Sequence, residues 1–361
     1  MKRLSCLLCL WLFLAPRASA SLTIKATYDS SITTQTNAAA IENALSRAVQ
    51  NFEDLYTNDV TINLTFYWGP AGPFTNGIAL GRSEYSLIFT TYPGIVSALS
   101  SHRASAADTN SVASLPAVDP TGSGNRWLVC YAEAKVLGLR SAIDAANDGD
   151  VGFSTNVSYT FDPNNRIASG KYDLIGVAEH EISEVLGRNT LNLGTNFVPY
   201  DLFRFTSNGT RNFNPAATNV YFSVDNGVTA LRFYYTNESL GDIQDWKSLT
   251  NADSDDAFVP SGRLLPISGV DIMTLDVLGY NGPGLTPPPR PAGTRLSNGN
   301  FVLKFAETPG SNFTVLATTN LTMPLTNWTV LGKAIENPPG LFRFTDSPPA
   351  SIERFYEVRS P

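Results

Sequence analysis

Tyr172-Asp173-Leu174-Ile175-Gly176-Val177-Ala178-Glu179-His180-Glu181-Ile182-Ser183-Glu184-Val185-Leu186-Gly187 is the stretch on which the reading of this chain turns. Its apolar residues recur at helical spacing, so 172–186 is predicted to be a helix with one apolar face. Gly187 is a natural stop, because glycine accepts the left-handed conformation that closes many helices. His180 and Glu184 are four apart and share one helix face, where they could grip one cation together. Glu181 sits beside them, placed to take a proton from water polarised by that cation. This is the logic of H-E-x-x-H, with glutamate in the second ligand position. A solvated helix face carries the same spacing by chance. Here, however, the motif lies between the apolar residues 174–178 and Val185-Leu186, where three ionisable groups are costly unless something satisfies them. Glu179 falls on another face and reads as a solvated or capping group.

Outward from the helix, the elements are mixed. Residues 22–28, 60–68, 151–161, 200–205 and 220–224 read as strands, and 36–55 as an amphipathic helix. The apolar segment 270–278 fits either type. Four prolines within 287–291 favour an extended spacer. Beyond it come five short apolar-aromatic runs, 300–305, 312–318, 328–331, 341–344 and 355–358, divided by Gly, Pro and Asn turns. That spacing suits an antiparallel sandwich. The expected fold class is therefore α+β, with a large domain at 21–282, a linker at 283–293 and a small all-β domain at 294–361.

The N-terminus reads as a signal peptide over 1–20. Lys2 and Arg3 precede an apolar run too short to span a bilayer, and Ala18-Ser19-Ala20 offers a cleavage site after Ala20. The mature chain is expected to be exported, with no membrane span. Cleavage removes three bases and no acid, leaving 22 bases against 32 acids and a net charge of −10. Such a surface excludes nucleic acid as a partner. Cys6 and Cys9 leave with the leader, so Cys130 stands alone and no internal disulfide forms. Its apolar surroundings at 127–131 make it a buried structural thiol.

Residues 172–187 resemble the active-site helix of metzincin-type zincins, H-E-x-x-H-x-x-G-x-x-H, with the glycine at Gly187. More narrowly, the stretch is similar to secreted bacterial metallopeptidases whose helix reads H-E-I-x-E-V-L/M-G-R. Ser114-Leu115-Pro116, Tyr200-Asp201-Leu202-Phe203-Arg204-Phe205, Asp242-Ile243-Gln244-Asp245-Trp246 and 271–280 also fit that group. The resemblance covers roughly 22–282. It implies a zincin-like domain, zinc as cofactor, a protein or peptide substrate, and peptide hydrolysis with Glu181 as general base. Met273 reads either as a Met-turn residue or as a plain core methionine.

The chain departs from the family pattern in its ligands. The third metzincin position falls on Thr190, and His102 and His180 are the only histidines. The third ligand must then be His102, a carboxylate or a tyrosine. Asp201, an acid in an apolar run soon after the helix, is the expected ligand, with a salt bridge to Arg204 or Arg188 as the equal alternative. His102 reads as solvated in a polar loop. Residues 251–256 and Asp148-Gly149-Asp150 read as solvated turns rather than calcium sites. A site of one histidine and two carboxylates weakens the preference for zinc over manganese or calcium and makes the cation a poorer Lewis acid. Two rivals to an active endopeptidase follow: a catalytically retired zincin scaffold, and an exported protein whose second domain contacts glycan or the cell surface.

Overall fold

The strand at Thr61–Trp68 shows how the first domain is layered. Ile62, Leu64 and Phe66 are buried, while the residues between them are partly exposed. Period-2 alternation of this kind turns one face of a sheet to a core. In the computed structural model, which describes residues 21–283 apart from 76–77, 123–125, 192–194, 238–240 and 249–251, and residues 292–359 apart from 298, 307–311, 321–322, 324–326, 339–340 and 348–353, this strand is central in a four-stranded sheet. Thr23–Tyr28 and Gly149–Phe153 flank it in parallel, and Gly81–Tyr85 closes the edge antiparallel to Gly149–Phe153. The leader at 1–20 and most of the 283–293 linker lie outside the described residues.

Two helices cover the sheet. Ala38–Leu55 turns Ile41, Ala44, Leu45, Ala48, Val49 and Phe52 inward. Each large apolar side chain so buried contributes about 1.5–3 kcal/mol, which offsets the marginal stability of an isolated helix. It packs on the motif helix, observed at Leu174–Val185, which in turn packs on Gly81–Tyr85 and Gly149–Phe153. Gly149 permits that approach, since a Cβ there would lie 2.4 Å from Val185 Cγ1 and 2.9 Å from the Glu84 carbonyl. Gly187 follows the helix with φ +123°.

Several segments differ from their sequence reading. Residues 151–161 split into Gly149–Phe153 and a short strand, Tyr159–Thr160, which pairs with Tyr172–Asp173 ahead of the motif helix. The 200–205 strand is instead a 3-10 helix, Pro199–Phe203, followed by a strand at Arg204–Ser207. Pro199 sets a helical φ at its start, and the Asp201 carboxylate caps it. The ambiguous 270–278 segment is a helix, Gly269–Val277, closed at its N-terminus by a Ser268–Asp271 capping box. Met273 is helical and buried there, so it is a core residue rather than a turn.

After the linker, the described residues form two antiparallel sheets. Phe301–Ala306 and Leu341–Asp346 anchor one, and Thr314–Thr318 lies between Thr329–Lys333 and Phe355–Arg359 in the other. Leu303, Phe305, Phe313, Val315, Phe342 and Val358 form a core separate from that of residues 22–280. The chain is thus mixed α and β, with several sheets and, among the described residues, seven α-helices.

Candidate metal centre

The motif helix carries His180 and Glu184 one turn apart. His180 Nε2 lies 3.6 Å from Glu184 Oε1 and 3.5 Å from Asp245 Oδ1. The three residues offer ligand atoms within 4.8 Å of one another. His180 Nδ1 is 2.9 Å from the Ser254 carbonyl. A carbonyl only accepts, so Nδ1 carries the proton and Nε2 faces two carboxylates. A lone pair aimed at two anions is unfavourable unless a proton or a cation lies among them. Histidines that hold metals are oriented in the same way, with the far ring nitrogen donating to a carbonyl. The donor set therefore fits a divalent cation, without being specific for zinc.

Neighbouring groups fix each carboxylate. Ser83 Oγ donates to Glu184 Oε2 at 2.6 Å, and Gln244 Nε2 donates to Glu184 Oε1 at 2.9 Å. Arg188, fully buried, reaches Asp245 Oδ1 at 2.9 Å, Asp255 Oδ2 at 3.1 Å and Glu184 Oε1 at 3.7 Å. Ser183 Oγ accepts from its Nε at 2.7 Å. Burial raises all these carboxyls. At Glu184 the hydrogen bond and charge of His180, with Arg188 and Ser83, overcome that and hold it at about 2. Asp245 is pushed up to about 7 by burial, against His180 and Arg188. Glu181 is raised well above the ordinary range by burial and by the charge of Glu184. Burial opposes a charge on His180, but the acids around it, Asp245 foremost, raise it.

A cleft opens over the site in two lobes of about 740 and 370 Å³. Ala79, Gly81, Glu181 and Asp242 line both, so Glu181 stands where they meet. The larger lobe adds Arg82, Glu84, Tyr85, Leu87 and Leu128. The smaller is mostly apolar, with Leu80, Val157, Val177, Phe258 and Leu265 beside His180.

Of the site residues expected from sequence, His180, Glu181 and Glu184 come together, and Asp201 does not join them. Asp201 is fully buried and accepts from Val198 N at 3.0 Å. It makes no ion pair among the described residues, since Arg204 instead donates to the Ile243 carbonyl at 2.8 Å and stacks on Tyr234. The acid at the site is Asp245. It belongs to the quoted 242–246 segment, but its position near the helix depends on tertiary contacts that no local spacing encodes. His102 bonds back to the Ala98 carbonyl at the end of the Tyr92–Ser101 helix. Two solvated readings are also overturned. Glu179 is buried against Asn51 and Arg166, and Asp253, Asp255 and Asp256 are buried against Arg188 and Arg232. In each case an arginine distant in sequence supplies the counter-charge. Asp148 is likewise buried, paired with Lys135, and Gly149 and Asp150 open a strand. Cys130 is buried, and Asn189 Nδ2 donates to its sulfur. No protein-family model matches this chain, and no curated protein or solved structure matches it either.

Proposed function

We propose that this chain is an exported, metal-dependent endopeptidase with a zincin-like first domain. One observation carries the reading: His180, its tautomer set by the Ser254 carbonyl, aims Nε2 between Glu184 and Asp245 at the floor of a cleft lined by Glu181. His180, Glu184 and Asp245 would hold the cation, most simply zinc, with manganese or calcium as alternatives. A divalent cation there supplies a Lewis acid for a substrate carbonyl and makes water more acidic. Glu181 takes the proton from the attacking water and returns it to the departing amine. Burial and the charge of Glu184 raise the Glu181 carboxyl, and a cation's charge in the cluster would lower it, which favours its action as a base. Ser83 and Gln244 hold Glu184, and Ser254 holds His180, without reorganisation during the reaction.

Arg188 favours a second reading. Its guanidinium already contacts both acids of the cluster, as it would in a retired scaffold where an internal cation replaces the metal. Elemental analysis of the mature protein beside His180→Ala separates the two. The endopeptidase reading expects about one divalent metal per chain, lost in His180→Ala. It also expects Glu181→Gln to keep that metal while peptide hydrolysis falls by about 10²–10⁴-fold. No metal in the wild type, even after zinc or manganese is supplied, selects the retired scaffold and directs attention to glycan or surface binding by 294–361.

A further inference from the structure

We propose that Gly81 is the positioning residue for Glu181: the missing side chain on the edge strand makes the space in which the general base stands. This rests on the reading of Glu181 given above. Gly81 begins Gly81–Tyr85, paired with Phe153, and lines both lobes of the cleft with Glu181. A Cβ built on it would lie 2.3 Å from Glu181 Oε1, 2.7 Å from its Cγ and 2.8 Å from its Cδ. Ordinary contact begins at 3.4 Å, so the carboxylate would have to retreat by about 1.1 Å or more. Gly81 is not in the left-handed region, so its backbone accepts alanine.

What yields decides the outcome. At Gly149, on the neighbouring strand, an added Cβ meets the branched Val185 and the Glu84 carbonyl, neither of which is free to move aside. At Gly81 the three nearest atoms are Oε1, Cγ and Cδ of Glu181, a flexible side chain beside open lobes of about 740 and 370 Å³. Gly81→Ala therefore spares the fold and moves the base, whereas Gly149→Ala strains the packing of helix on sheet. A displacement of about 1 Å at a reacting group costs on the order of 10²-fold in rate. The three atoms nearest the new methyl all belong to Glu181 and none to His180, Glu184 or Asp245, so metal binding should be retained.

The test is a double-mutant cycle on the metal-loaded full chain, with crystal structures of the wild type and Gly81→Ala. The expected result is a kcat lower by about 10²-fold in Gly81→Ala, with KM, metal content and melting temperature close to wild type. Because Gly81 acts through Glu181, Gly81→Ala in a Glu181→Gln background should cost little more. The crystal structure should show the Glu181 carboxylate displaced by about 1 Å with the ligand residues in place. A carboxylate that stays put, undiminished turnover, or additive losses in the cycle would overturn the proposal. An inactive wild type with a displaced carboxylate in Gly81→Ala overturns the endopeptidase reading and upholds the control of Glu181 by Gly81.

Discussion

The two sides of the motif helix bury acids in different company. On one side, Asp173 and Glu179 share Arg166, whose Nε lies 2.9 Å from both Asp173 oxygens, and Asn51 closes on Glu179. With every acid ionised, two carboxylates face one guanidinium, a formal excess of one negative charge. On the other side, Glu181, Glu184, Asp245 and Asp255 face, among the described residues, Arg188 and the imidazole of His180, an excess of three with that ring neutral. A divalent cation would bring the second side to the balance of the first. Burial of acids is therefore not itself the mark of a site. The mark is burial beyond what the chain's own cations balance, beside a cleft.

Asp245→Asn should have the largest effect on this charge balance. It removes one of the three proposed ligands and one of the unbalanced charges, so metal affinity should fall by more than about 100-fold, past the 10–100-fold typical of losing an outer partner. Competition with a chelator measures it, and wild-type affinity in the variant would show that Asp245 is no ligand. Arg166→Met tests the other side. It leaves Asp173 and Glu179 buried without their cation, and the loss of one partner from a buried pair costs about 3–5 kcal/mol. Denaturant unfolding should show that loss with metal content unchanged. A metal-depleted but stable Arg166→Met protein would mean that the two sides are coupled.

How much of this was legible in sequence follows from the same distinction. The helix, its His180–Glu184 pair and Glu181 are local facts of spacing, and the alternation of 60–68 and the apolar face of 36–55 are equally local. The five short runs after the linker mark strands for the same reason. Asp245, Ser254 and Ser83 reach the helix from 61, 74 and 101 positions along the chain, distances that no periodicity reports. The buried state of Glu179 and of 253–256 was hidden because charge patterns read as solvent-facing until the partnering arginine is placed. The strand expected at 200–205 failed because a proline and a capping acid outweighed an apolar run.

Glu133 is an acid with no donor among the described residues. It is 1% exposed, neither carboxylate oxygen has a hydrogen-bond partner, and it packs under Gly187 just past the helix end. Burial raises it well above its ordinary value of 4.5. The unfolded chain therefore releases this proton near 4.5 while the folded chain retains it. Its contribution to stability is greatest below 4.5 and falls as pH rises towards the folded value, by up to about 1.4 kcal/mol per pH unit. Glu133→Gln removes that slope. Its stability relative to wild type should differ little at pH 4 and rise by up to about 3 kcal/mol by pH 7. Denaturant unfolding across that range checks the trend, and a gap that does not widen with pH would mean that folded Glu133 is ionised.

Asp201 gives the smallest effect and the cleanest control. Like Asp245 it is a buried acid in an apolar segment near an arginine, and its carboxyl is likewise pushed up to about 7 by burial. The two differ in what their oxygens meet. Asp245 Oδ1 lies 3.5 Å from His180 Nε2, whereas Asp201 Oδ2 takes the Val198 N–H and caps a 3-10 helix. Asparagine retains an oxygen for that cap, so Asp201→Asn keeps the bond and loses only the ionisation. Near pH 4 the two proteins should differ little; as pH rises from 3.8 towards about 7 the unfolded wild type releases a proton that the folded one retains, so asparagine gains relative stability, as glutamine does at Glu133. Compared at pH 4, stability should therefore move by less than about 1 kcal/mol, the usual worth of such a cap, and metal stoichiometry should match wild type. If Asp201→Asn loses the metal while Asp245→Asn keeps it, the balance of charge has been drawn around the wrong acid.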